Sequence, residues 1–179
     1  RRAPYPTRGD KRALAEAISA LCGQCRIMRS VSERAGTPPL REVPANFEGL
    51  ARIVTGQQVS ASAAAAIWTK VSNSVKPFTP NRVLAHTGDS LKTLGLSSPK
   101  VKTLFALADA AHRRELNFTR VNTLPDDGIR EQLTRLHGIG PWTADIYLLF
   151  ALRRADAFPA GDLALQIAAA RLFKLETRP

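Results

Sequence analysis

Seven residues, Leu136 to Trp142, read LHGIGPW. Two glycines one residue apart, closed by a proline, mark a tight backbone turn rather than a core segment. The sequence on either side has helical spacing, so the segment joins two helices through a short hairpin. Glycine permits positive φ and the close approach of another backbone. Exposed N–H groups beside the start of the next helix make a concavity suited to an anion. An ordinary helix stop at Gly138 accounts for the first glycine but leaves Gly140 and Pro141 without a reason.

Asp162 ends the stretch FPAGD and precedes the apolar run LALQIAAARLF. Its residue type and place suit a helix N-cap. A helix N-terminus at that point also favours the ionised carboxylate. In TGQQVS, Gln57 and Gln58 read as a polar helix start with Ser60 as the cap. Lys100, in LSSPK, suits either a phosphate contact or solvated surface.

The remaining chemistry-bearing residues do not assemble. Cys22 and Cys25 are the only cysteines, spaced C-x-x-C. A cysteine-built zinc or iron–sulfur site needs four ligands or a nearby histidine pair, and His86, His112 and His137 are scattered. A redox dithiol belongs beside a strand, whereas LAEAISALCGQCRIM is Ala- and Leu-rich and helical. Buried, inert thiols are expected.

The chain of 179 residues carries a net charge of +11. That excess points to a polyanionic partner, nucleic acid first and an anionic membrane surface second. Hydrophobic residues make up 44% and charged residues 23%, enough apolar sequence for a packed core. No stretch approaches the ~20 apolar residues of a membrane span, and the basic N-terminus lacks the apolar run of a signal peptide. A cytoplasmic protein is expected. The chain starts at Arg1 rather than methionine, so a preceding segment is expected as well.

Helices must position these groups. Period-2 runs are nearly absent and helical spacing recurs. Asp10 is expected to cap a helix reaching about Arg29, with Leu14, Ile18, Leu21 and Cys22 on one face. Asn46 caps FEGLARIVTG, and an Ala-rich helix covers about Ser60–Val75. Short helices fit near Pro80–Ala85 and Asp89–Leu94. Ser98 followed by Pro99 opens a helix to about Leu116. Leu124-Pro125 opens another to about Leu136. The hairpin is followed by a helix over Trp142–Leu152, and the last runs from Asp162 to about Leu175. The fold class is all-α.

The stretch LHGIGPWTADIYLLFALRRADAFPAGDLALQ, Leu136–Gln166, resembles the helix–hairpin–helix DNA glycosylase superfamily, within it the 3-methyladenine DNA glycosylase II (AlkA-like) branch. IVTGQQVSASAAAAIWTKV and LKTLGLSSPKVKTLFALADA are similar to two further segments of that family, so the likeness covers most of Phe47–Leu175. It implies a compact two-lobed unit over residues 1–179. Segments 1–45 and about 122–179 would form one lobe and about 46–121 the other. No strands precede Asp10, so no N-terminal β-rich domain is expected.

The resemblance also implies roles. Asp162 matches the catalytic aspartate. A fixed carboxylate suits cleavage of an N-glycosidic bond, where positive charge builds on the sugar, and it can orient or deprotonate the attacking water. Trp142 stands where bifunctional glycosylase/lyases carry an attacking lysine, which implies monofunctional hydrolysis without lyase activity; its ring serves as a wall of the base pocket or as core. The hairpin positions Gly138, Ile139, Gly140 and Thr143 would bind DNA phosphate, joined by Gln57, Gln58, Ser60 and Lys100. One of the two glutamines, Gln58 by preference, would fill the gap left by the flipped base. The family's hairpin often holds a monovalent cation, Na+ or K+, on backbone carbonyls, matched here by Thr134, Leu136 and Ile139. No side-chain metal site and no required cofactor are implied, and no cysteine follows Cys25 to build an iron–sulfur cluster. The implied substrate is double-stranded DNA with alkylated purines of the 3-methyladenine type, in base excision repair. A glycosylase for another lesion and a non-catalytic DNA-binding module are the alternatives. A monomer at the bacterial nucleoid, with no membrane role, is expected. The family usually continues into a further helix with W-x-P-type residues; this sequence stops at RLFKLETRP.

Overall fold

A computed structural model describes residues 11–179. Asp10 and its expected capping role therefore lie outside the described residues. Eleven α-helices follow one another: α1 Lys11–Gln24, α2 Arg26–Ala35, α3 Phe47–Thr55, α4 Ala61–Ser74, α5 Pro80–Leu84, α6 Gly88–Thr93, α7 Ser98–His112, α8 Phe118–Val121, α9 Asp126–Thr134, α10 Pro141–Ile146 and α11 Leu163–Phe173. A π-helical turn, Tyr147–Ala151, continues α10. No β-strand occurs among the described residues.

Local chemistry sets most of the starts. Asn46, Ser60, Thr79, Thr87, Asn117 and Asp162 each accept a backbone N–H from three residues ahead. This is the standard way to satisfy an orphaned first-turn donor. The core is built around α7, which packs on α3, α5 and α6. Leu104 and Leu107 of α7 are buried against Leu50 and Val54 of α3 and Val83 of α5, all in one cluster. On the other side α10 packs on α9 and α3, burying Ile129, Leu133, Tyr147 and Leu148.

Several expected boundaries move. The first expected helix is two helices, because Cys25 is extended (φ −130°, ψ 111°) and interrupts it. Leu21 lies 43% exposed rather than on a buried face. Both cysteines are half-buried free thiols, not core groups. The cap of α7 is Ser97, one residue before the expected Ser98. That helix stops at His112, after which Arg114 adopts a left-handed φ of 62°. The four residues of α8 are too few to show a period.

Candidate active site

The hairpin closes tightly on α7. After Thr134, Leu136 N–H donates to the Leu133 carbonyl and Ile139 N–H to the Leu136 carbonyl, each at 3.1 Å. Gly138 has φ +76°. A Cβ there would sit 1.8 Å from Thr103 Oγ1, so glycine is required by contact as well as by backbone angle. Gly140 differs. It is the N-cap of α10 with φ −98°, an ordinary extended value. Among the described residues, nothing beyond its chain neighbours lies within 4 Å of where its Cβ would be. The space at Gly140 is open toward solvent, and Pro141 starts α10 in the first turn.

Ile139 corrects the sequence expectation in part. Its side chain is 4% exposed, in the core, and its N–H is already spent on Leu136. Its alternation with the two glycines anchors the turn instead of offering a donor outward. Thr143 is likewise buried, at 2% exposure.

Asp162 sits at the end of a loop that returns to the hairpin. Arg154, which is buried, starts this loop: its guanidinium lies 3.2 Å from Asp126 and donates to the Leu124 carbonyl at 3.2 Å. The FPAGD segment folds on itself through bonds from Ala160 N–H to the Phe158 carbonyl and from Asp162 N–H to the Pro159 carbonyl, both 2.9 Å. Gln166 Nε2 donates back to the Ala160 carbonyl at 3.0 Å. Neither Arg154 nor Gln166 carries a motif signal as a support; a buried arginine answering a helix-start aspartate is visible only in three dimensions.

The two oxygens of Asp162 have separate tasks. Oδ1 accepts Leu165 N–H at 3.0 Å, the cap of α11. Oδ2 accepts the Trp142 indole N–H at 2.7 Å. Partial burial acts to raise the carboxyl pKa, but the bonds from Trp142 and from the Leu165 and Ala164 N–H groups outweigh it, and the group lies below its ordinary value. The carboxylate is thus fixed, ionised and half-exposed. Trp142 is half-buried and packs on the core while lining the cleft, so both expected roles of its ring are combined with a third, that of donor.

Two adjoining cavities, about 1040 and 970 Å³, meet at this pair, and Trp142 and Asp162 line both. The first is largely apolar, walled by Val43, Ile53, Ala64, Phe150 and Phe158. The second carries Gln57, Gln58, Ser60, Lys100, His137 and Gly138. The structure therefore brings together, around one cleft, residues that are far apart in sequence.

Within that group the glutamines separate. Gln57 Nε2 donates to the Gly138 carbonyl at 3.1 Å and to Thr143 Oγ1 at 2.8 Å. Gln58 is exposed and has φ 54°. Ser60 caps α4 through Ala63 N–H. Lys100 is not solvated surface. It is 9% exposed and its ammonium donates to the Thr55 carbonyl at 2.9 Å, near the C-terminus of α3. Burial lowers its pKa. A cation there satisfies the end of the helix dipole.

Residues 51–179 match the family of HhH-GPD superfamily base excision DNA repair proteins. The chain belongs to that superfamily. It is 26% identical over 158 residues to the alkylbase DNA glycosidase-like protein mag2 of Schizosaccharomyces pombe, covering 86% of this chain and 73% of that one. It is 31% identical over 124 residues to DNA-3-methyladenine glycosylase 1 of the same yeast, covering 67% of this chain and 54% of that one. The solved structure of the S. pombe 3-methyladenine DNA glycosylase in complex with abasic DNA matches with a TM-score of 0.81 at 27% identity, over 92% of this chain and 83% of that one. The all-α fold is that of the helix–hairpin–helix glycosylases. Among the described residues, no helix is long and apolar enough to cross a membrane, and no cluster of three or more His, Cys, Asp or Glu side chains is arranged to hold a metal.

Proposed function

We propose that the chain is a monofunctional DNA glycosylase that removes alkylated purines, of the 3-methyladenine type, by hydrolysis after the base is flipped from duplex DNA. The observation that carries this reading is the Trp142–Asp162 pair at the junction of the two cavities. Its relatives include proteins named 3-methyladenine glycosylases.

The base enters the apolar cavity, and the sugar lies over Asp162. As the C1′–N bond breaks, positive charge grows on the sugar, and the fixed anion stabilises it. Water attacks C1′ and loses its proton to Asp162 or to solvent; the base leaves with the bonding electron pair. An alkylated purine is already cationic and needs little protonation. The flat indole of Trp142 attracts such a cation, and having no amine it forms no Schiff base with the sugar.

Extruding the base costs a few kcal/mol, least where damage weakens pairing. Gln58, exposed at the tip of its turn, fills the gap. The hairpin grips a phosphate at Gly140, where the space around the missing Cβ is open and the backbone can come close to an anion. A Na+ or K+ would be held by the hairpin carbonyls of Thr134, Leu136 and Ile139, of which that of Leu136 also accepts Ile139 N–H. The enzyme acts as a monomer on one face of DNA, in two lobes that flank the cleft, in the cytoplasm with the nucleoid, and needs no cofactor.

The test is release of 3-methyladenine from methylated duplex DNA, with strand nicking scored before and after alkali. Base release with nicking only after alkali is expected. Nicking without alkali would refute the monofunctional assignment. No release, with duplex binding intact, would favour another lesion or a hairpin that only binds.

A further inference from the structure

We infer that Gln57 is a positioning residue: an amide clamp that ties the turn carrying Gln58 to the DNA-gripping hairpin, so that the hairpin's seat on DNA sets where Gln58 enters the duplex. This rests on the glycosylase reading above.

The clamp uses all that the side chain can donate. A glutamine amide has two N–H groups. One goes to the Gly138 carbonyl and the other to Thr143 Oγ1, residues 81 and 86 positions away. Both partners are themselves packed against the body of the protein. Gly138 is pressed on Thr103 at a backbone angle other residues avoid, and Thr143 is buried. Gln57 thus has no donor left for a base and cannot swing outward without breaking both bonds.

Its neighbour carries the consequence. Gln58 holds φ at 54°, a left-handed conformation that disfavours residues with a Cβ. Such strain persists only where the surroundings impose it, and it clusters at working sites. Here the turn is pinned on both sides, by the Gln57 clamp before it and by the Ser60 cap of α4 after it. The strained residue between these two anchors is exposed, as the following Val59 is, and lines the cavity that the hairpin also lines. With the clamp gone the turn relaxes, and the grip on phosphate no longer dictates the depth of Gln58.

Binding separates this coupling from plain loss of hairpin structure. The probes are an undamaged duplex and the same duplex bearing a tetrahydrofuran abasic analogue beside a 2-aminopurine, whose fluorescence reports insertion. The proteins are wild type, Gln57→Ala, Thr143→Val, which keeps the buried shape, and the double variant. Gln57→Ala is expected to lose about tenfold more affinity on the abasic duplex than on the undamaged one, as two lost hydrogen bonds allow. Its fluorescence change is expected to collapse in parallel. Thr143→Val is expected to show a smaller loss of the same kind, and the double variant to resemble Gln57→Ala alone. Equal weakening on both duplexes, or none on either, would overturn the clamp. Wild type with no preference for the abasic duplex would instead overturn the glycosylase reading, and the clamp with it.

Discussion

The indole N–H of Trp142 donates to Asp162 Oδ2 at 2.7 Å, across a separation of 20 residues. Trp142 lies in the first turn of α10, directly after the hairpin, and Asp162 caps α11. One hydrogen bond therefore fixes the candidate catalytic carboxylate relative to the candidate DNA-gripping turn.

Trp142→Phe keeps an aromatic wall and removes the donor. A hydrogen bond to a charged group is worth ~1.5–3 kcal/mol, so single-turnover base release is expected to fall about 10- to 100-fold. The Asp162 carboxyl should also titrate higher. In wild type it lies below the ordinary aspartate value of about 3.9, because the anion is favoured in the folded state. The sign for stability follows. The contribution of Asp162 is present above its unfolded pKa and is lost as pH falls through the lower folded value. Carboxyl carbon shifts by NMR, recorded against pH for both proteins, check the order; an unchanged titration in Trp142→Phe would mean the bond does not tune the group.

The two hairpin glycines should behave oppositely. Gly138→Ala forces a Cβ onto Thr103 at a left-handed φ, which costs at least about 1–2 kcal/mol and lowers Tm by about 2–8 °C or more. Gly140→Ala meets no described atom and has ordinary φ. Its Tm should stay at the wild-type value while duplex affinity drops by about tenfold or more, because the added methyl fills the open space and holds a phosphate away from the backbone donor. Thermal melts and duplex titrations on both variants decide this; a Gly140→Ala protein with full affinity would place the phosphate elsewhere.

Binding to undamaged duplex should be weak, indifferent to sequence and steeply salt-dependent, given a charge of +11. Lys100 should not contribute to that slope. Its ammonium is buried on the Thr55 carbonyl, so Lys100→Met leaves a buried carbonyl unpaired at a cost of ~1–3 kcal/mol. Tm should fall and the salt slope should hold. A slope smaller by about one would instead identify a phosphate contact.

Much of this site was readable along the chain because its parts are local. The glycine spacing gives the hairpin, and Asn46, Ser60 and Asp162 give helix starts by capping chemistry. What stayed hidden is what depends on contacts between distant segments. Nothing near Gln57 signals a bond to Gly138, and nothing near Lys100 signals burial under α3; a polar residue in a turn reads as solvated until its partner arrives in space. Thr103 illustrates the same limit, since the need for glycine at 138 comes from a helix that precedes it by over thirty positions. The break at Cys25 was hidden for a different reason: Ala- and Leu-rich sequence before it favours helix, helical sequence resumes at Arg26 after it, and propensity alone does not mark a single extended residue.

The most direct test of the account is single-turnover release of 3-methyladenine by wild type and Asp162→Asn. Asparagine is an equally good N-cap, and its carbonyl oxygen can accept from Trp142 or from Leu165, so the fold and duplex affinity should persist. The charge is lost, and with it one of the two hydrogen bonds, since the amide nitrogen accepts neither N–H. The expected result is a rate lower by about 10²- to 10³-fold, comparable to removing one preorganised charge-stabilising group, with duplex binding retained and Tm lower by only about 2–4 °C, as loss of about 1 kcal/mol gives. A variant that releases the base at the wild-type rate would contradict the assignment of Asp162 as the catalytic carboxylate.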